Sequence, residues 1–373
     1  MKAQDYFIAF LLLLMGKLGL VLALRYLDAD FFGGGNDSYY YDAYARGYVD
    51  VAVNSWPIML RFLYDLSLYS REGVSYFLTL LAFVFIPFCV GALSAVNSSP
   101  LRNRAYWAAA FLASAYPTII HLTTDIYRDV FMLSVWLVGL IIFKALADKP
   151  SMMKRCLLIL AGIFIAFVLF SIREYLGFAY LVALVFSGFY SFKKIPLITS
   201  LVFLVFILFL MYIAGLLEPL FSYRDIFDDM GGGSTLGIEF ASASSFIPDL
   251  FRSVAAQLFG LFFINTASVI AFLIETAPFI LLLAYVIKNR EYSNKFVDFL
   301  IVFFVAYACI WILGNDNLGT AVRLRTFNYL AVLIAFFVIY QNKKLACMAG
   351  QADYKKTAFR LLHVRILTQK SPA

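Results

Sequence analysis

Residues 6–25 read YFIAFLLLLMGKLGLVLALR, and they decide the fold. Twenty residues at a rise of about 1.5 Å match the roughly 30 Å of a bilayer's hydrocarbon core. The only charges are Lys17 inside the run and Arg25 at its end. Hydrocarbon offers no partner to an unpaired backbone group, so a run of this kind crosses as a helix. Lys2 precedes it, but no A-x-A cleavage pattern follows, so it reads as an uncleaved first span.

Working outward, similar runs recur and ten spans can be drawn, at about 6–25, 73–95, 105–122, 130–147, 156–172, 175–192, 195–217, 263–287, 297–314 and 326–341. Composition agrees, since 63% hydrophobic and 14% charged residues across 373 positions exclude a soluble globular protein. The expected fold class is an all-α polytopic integral membrane protein. A transmembrane domain would occupy 1–341, with a basic cytoplasmic tail over 342–373.

The lysines orient it. With the N-terminus in the cytoplasm, the inside loops are 96–104, 148–155, 193–194, 288–296 and the tail from 342. The outside segments are then 26–72, 123–129, 173–174, 218–262 and 315–325. Every lysine except Lys17 falls inside or at the inner end of a span, and most acids fall outside. Asymmetry of this kind sets topology in membrane proteins. Both termini are therefore expected in the cytoplasm, and the net charge of +7 need not signal nucleic acid.

Arginine breaks the pattern. Arg25, Arg46, Arg61, Arg71, Arg128, Arg173, Arg224, Arg252, Arg323 and Arg325 all fall in the outer segments. A face that rejects lysine but keeps arginine suits bidentate capture of phosphate or carboxylate. Roughly half of them are expected to serve structure instead, by snorkelling or by pairing with nearby acids.

Two outer segments are long, 26–72 and 218–262. The first opens with GGGNDSYYYDAYARGY, residues 33–48. If Asn36 or Asp37 starts a helix, Asp37, Tyr41, Tyr44 and Tyr48 share a face, and Asp42 and Arg46 pair at i, i+4. Carboxylates and tyrosine rings are the groups that grip sugars, so Tyr40, Tyr41, Tyr44 and Arg46 are candidate glycan contacts. The bland alternative is an interfacial aromatic belt with a helix cap. An amphipathic stretch follows over Val51–Tyr69, with an apolar stripe of Trp56, Met59, Leu60, Leu63 and Leu66 and an expected Arg61–Asp65 pair. The second long segment carries Gly231–Gly233 as a candidate lid hinge and a second amphipathic stretch around Phe246 to Phe259.

The short outer segments carry the other candidates. IHLTTDIYRDVFM supplies Asp125, Arg128 and Asp129, with one of the two aspartates as a base or orienting acid, or else Asp125 as a helix cap. His121 there is more often structural. Arg173-Glu174 interrupts an apolar hairpin whose apex is expected to sit below the surface, either self-paired or facing a cavity. NDNLGTAVRLR sets Arg323 and Arg325 on different sides of a helix, free to serve two ligands or a ligand and an acid. Lys17 and Glu275 are expected to form a buried pair between spans. No P-loop, GxGxxG or cytoplasmic DxD is present, and the four scattered cysteines form neither a CxxC nor a Cys/His cluster. Nucleotide-dependent chemistry, a zinc site and a disulfide framework are therefore not indicated.

With GGGNDSYYYDAYARGY after the first span, YRD before the fourth, IREYLGF at the hairpin and NLGTAVRLR before the last, the chain resembles the Wzy-type polymerases of O-antigen and capsule synthesis. The resemblance implies a GT-C-like glycosyltransferase that joins undecaprenyl-pyrophosphate-linked repeat units on the periplasmic side of the bacterial inner membrane. It implies no cofactor, and a chain-length regulator as a possible partner. It also implies Arg173, Arg323, Arg325 and, as a weaker match, Arg128 around the lipid pyrophosphate, with Asp37 as the base of the first outer loop. Asp125 and Glu174 are the other acids that could orient the acceptor hydroxyl. A GT-C enzyme using a polyprenyl-monophosphate sugar is the nearest alternative, and a flippase of lipid-linked sugar a more distant one.

Overall fold

The computed structural model describes residues 2–26, 36–148, 150–229, 235–263 and 266–368. In chain order the helices are α1 (Ala3–Tyr26), α2 (Asn36–Ala45), α3 (Ser55–Asp65), α4 (Arg71–Ser94), α5 (Arg102–Ser114), α6 (Pro117–His121), α7 (Arg128–Ala147) and α8 (Met152–Ile172). They continue with α9 (Glu174–Phe186), α10 (Leu197–Ile213), α11 (Glu218–Asp229), α12 (Phe246–Ser253), α13 (Ser268–Lys288), α14 (Lys295–Gly314) and α15 (Leu318–Thr368). Among the described residues there is no strand, only an isolated bridge between Thr235 and Asn317. Gly33–Gly35 and Gly231–Gly233, the latter the expected hinge, lie outside the described residues.

Seven helices are long and apolar enough to cross a membrane: α1, α4, α7, α8, α13, α14 and α15. The chain is thus an all-helical, multi-pass membrane protein. Three of the ten expected spans are not straight crossings, for local reasons. The 105–122 run divides because Tyr116 precedes Pro117 and takes extended backbone, φ −70° and ψ 112°. The 175–192 run ends as a helix at Phe186, and its 13 residues cover only about 20 Å. In the 195–217 run, Gly215 at φ 71° turns the chain, and α10 and α11 meet at 83°. The last helix begins at Leu318 and passes through 342 without a break, so Arg323 and Arg325 lie inside it rather than before it.

The final span is the pillar of the bundle. Most of its apolar stretch, 83%, is buried, against 17% for α1, which packs chiefly on α5. Around α15 stand α4, α5, α13 and α14, while α9 packs between α8 and α14. Rings fill the centre: Trp136 lies 5.2 Å from Phe303, and Phe303 stacks on Tyr307 at 5.4 Å. Glycine sets one crossing. A Cβ on Gly177 would stand 2.3 Å from the backbone nitrogen of Phe170, so only glycine lets α9 lie this close to α8.

The bundle has two chemically distinct ends. At one, Lys144 Nζ donates to the carbonyls of Ala92, Leu93 and Ala95, each at 2.8 Å. There too, Lys295 caps Ser187 and Gly188 at 3.2 Å each, satisfying carbonyls that a helix end leaves open. At the other end lie the first residues of α4, α7, α9 and α15, which hold Arg71, Arg128, Asp129, Glu174 and Arg323. The two amphipathic stretches also form helices, α3 and α12. Asn54 accepts from Trp56 N at 2.9 Å to cap α3, and Trp56 Nε1 donates to Ile126 O at 3.0 Å, tying α3 to the bundle. Trp56 and Leu60 are buried as the stripe requires, but Leu66 is exposed, beyond the end of the helix.

Two expected ion pairs do not form. Arg61 lies over the Tyr44 ring at 5.4 Å rather than on Asp65. Lys17 Nζ donates to Ser114 Oγ at 2.9 Å and sits 4.1 Å from the Phe83 ring, while Glu275 belongs to Arg325. The cause is packing: α1 rests on α5 and never reaches α13 closely enough for Lys17 to meet Glu275.

Candidate anion site at the arginine end

Three chain segments meet at one carboxylate, and a fourth joins through Arg323. Asp129 sits in the first turn of α7, where the helix dipole favours an acid. Arg173 links α8 to α9 in extended backbone, φ −155° and ψ 103°, at the glycine-permitted crossing. Its Nη1 stands 3.6 Å from Asp129 Oδ1. From α15, Arg323 Nη1 reaches Asp129 Oδ2 at 3.5 Å and donates to Asp37 Oδ2, on α2, at 3.0 Å. Arg128, beside Asp129, donates from Nη1 to Ile172 O at 3.1 Å and makes no ion pair with any described residue.

Burial is graded. Asp129 and Arg173 are 3% and 6% exposed, Arg128 and Arg323 are half-buried, and Asp37 is open. Tyr41 is buried among these charges. Burial pushes its hydroxyl up to about 12, Arg128 and Arg173 work against that rise, and Asp37 and Asp129 add to it.

Two features give the cluster chemical capacity. Its three guanidiniums, Arg128, Arg173 and Arg323, outnumber the carboxylates of Asp37 and Asp129. Its deep pairs are also long for hydrogen bonds: Arg173 Nε and Nη1 and Asp129 Oδ1 are buried without a hydrogen-bond partner among the described residues. Buried N–H groups left open are costly, and an oxyanion satisfies them. Tyr175 lies under Arg173, with the guanidinium carbon 5.2 Å from its ring, and the Tyr307 hydroxyl is likewise buried and unpaired.

The remaining candidates disperse. Asp125 accepts from Arg71 Nε at 2.9 Å and from Ile126 N at 2.8 Å, so its carboxylate is committed to structure. Glu174 is exposed and in no ion pair with a described residue, so the hairpin is not self-paired. Arg325 turns away to Glu275, 3.8 Å from its Oε2, in a separate buried cluster where Thr118 N and Oγ1 donate to the same carboxylate at 2.8 and 2.9 Å. A π turn over Phe272–Thr276 carries Glu275 there.

On α2, Arg46 pairs with Asp42 at 3.0 Å as expected. Tyr40 Oη accepts from Val53 N at 3.1 Å and donates to Val51 O, pinning the loop after the helix. Tyr44 is buried under Arg61, and Tyr48 lies past the helix end, so of the expected face Asp37 and Tyr41 reach the arginine cluster. Arg224 is a latch: it donates to Ile238 O and Asn315 O, each at 2.7 Å, and pairs with Asp316.

Asp129 is the residue that sequence reasoning undervalued. It stood in the quoted motif, and its signal was its place as the last acid before an apolar span. No group of His, Cys, Asp and Glu able to hold a metal occurs among the described residues. Two pockets lie elsewhere, one of about 270 Å³ at the lysine end and one of about 640 Å³ beside α10 and α11. Between the arginines themselves, the space is taken by Asp129. Comparison of the chain with family models, with curated proteins and with solved structures finds no match in any of the three.

Proposed function

We propose that this protein polymerises polyprenyl-pyrophosphate-linked oligosaccharide repeat units into O-antigen or capsular polysaccharide. The reaction would take place at the periplasmic face of a bacterial inner membrane, with both termini in the cytoplasm. The observation that carries it is the convergence of Arg173 and Arg323, with Arg128 beside them, on one buried point where guanidinium N–H groups stand unfilled. Displacement at an anomeric carbon with a diphosphate leaving group needs no strong acid, because the leaving oxygen is already stabilised by phosphorus. It needs cationic donors where charge accumulates, in a site of low dielectric.

The roles divide by burial. Arg173 and Arg323 take the diphosphate oxygens, which replace Asp129 as their partner. Arg128, in no ion pair with a described residue, joins them. Asp37, open and held by a single bond from Arg323, orients the acceptor hydroxyl and takes its proton as the glycosidic bond forms. Arg325, engaged with Glu275, is a structural residue and not a ligand to phosphate. Arg173, buried at the α8–α9 hairpin, is where a lipid-anchored diphosphate would be held.

The test is a deletion strain examined by gel for its surface glycan and complemented with Arg173→Ala or Arg323→Ala. Single-repeat product persisting with either variant at normal expression is expected. A full ladder in both would refute the assignment.

A further inference from the structure

Beside the 83° bend between α10 and α11 lies a shallow groove of about 640 Å³, inside the roughly 300–1,000 Å³ range of small-molecule sites. Its floor is aromatic. The Tyr212 and Phe221 rings meet edge to face at 6.0 Å, both half-buried, and Phe221 stacks on buried Phe240 at 5.4 Å. Glu218 and Glu239 stand at its edges with Ser242. Both glutamates are exposed, and neither is in an ion pair with a described residue. Among the acids of this end, Asp37, Asp42, Asp125, Asp129, Asp249, Glu275 and Asp316 face an arginine, whereas Glu218 and Glu239, like Glu174, do not.

We infer that this groove binds saccharide, as the track along which the glycan is held next to the arginine site. Half-covered ring faces suit the apolar C–H side of a pyranose, and unpaired carboxylates accept from its hydroxyls. Unpaired carboxylates and the lack of any lysine or arginine in the lining argue against a phosphate headgroup. α11 carries Glu218 and Phe221 into the groove, and Tyr223 on the same helix lies near enough to Arg173 for their charges to interact. The binding rests on the polymerase activity proposed above, for which it supplies the means of keeping a growing chain engaged.

The test uses the full chain in the deletion strain, complemented with Glu218→Ala/Glu239→Ala or with Phe221→Leu, which keeps an apolar side chain but removes the ring. Both variants are expected to form the first linkages but to shorten the glycan severalfold, with thermal midpoints of the purified proteins unchanged. Wild-type chain lengths in both variants would overturn the saccharide track and leave the polymerase proposal standing. Shortening by the carboxylate variant alone would also overturn it, since a cation site needs no ring. If the deletion itself leaves the cell's glycans intact, the polymerase proposal fails as well.

Discussion

Asp129 and Asp125 stand four residues apart in sequence and do opposite things. Asp129 is deep between two arginines, and its removal leaves the buried Arg173 guanidinium without a counter-charge. Asp129→Asn is expected to cost roughly 3–5 kcal/mol, seen as a lower thermal midpoint in detergent. Asp125 is part-exposed and held by Arg71. Burial alone would raise its pKa, but the hydrogen bonds from Arg71 and Ile126 outweigh that and bring the carboxyl below its usual range. A lowered folded-state value contributes stability above the unfolded value of about 3.9 that is lost as pH falls through the folded one. The gap in thermal midpoint between wild type and Asp125→Asn should therefore be full at neutral pH and close below about pH 4. A gap independent of pH would show that the carboxylate's charge is not what stabilises the fold.

At the scale of elements, the site depends on crossings more than on the arginines themselves. Gly177 lets α9 close on α8, and the linker residue of that hairpin is Arg173. Gly177→Ala has no flexible neighbour to displace, only the backbone of Phe170 and Ala166, and overpacking of this kind costs about 1–3 kcal/mol or more. Folded yield should drop, whereas Gly19→Ala, which meets open space, should behave as wild type. Most spans were legible because a long apolar run in a bilayer has one solution. The exceptions came from single residues: Pro117 and Gly215 broke runs that hydropathy read as continuous. Of the two pairs expected from i, i+4 spacing, Asp42–Arg46 forms and Arg61–Asp65 does not, because the Tyr44 ring takes Arg61. Ion pairs were not legible across helices, because sequence does not say which faces meet; hence Lys17 and Glu275 were paired with each other rather than with Ser114 and Arg325. Of the arginines, Arg173 and Arg323 were identified together. Asp129, which joins them, was read only as one of two candidate acids beside Arg128, because sequence does not say which carboxylate faces arginines from other segments.

The molecule as a whole sorts its charge by end, with lysines capping helix carbonyls at one and arginines facing acids at the other. This predicts sidedness. Single cysteines at Asp65 and Glu239 should react with an impermeant maleimide from the periplasm, and those at Ser98 and Glu291 only after permeabilisation. Labelling of all four from one side would remove the arrangement of spans proposed above. The central claim, however, concerns the ligand, and the most direct measurement is binding of inorganic pyrophosphate to the purified protein in nanodiscs by calorimetry. Saturable binding is expected, weakened about tenfold or more, about 1.4 kcal/mol, by Arg128→Ala and by Arg323→Ala at unchanged thermal midpoint. No binding by the wild type, or equal binding by both variants, would contradict it.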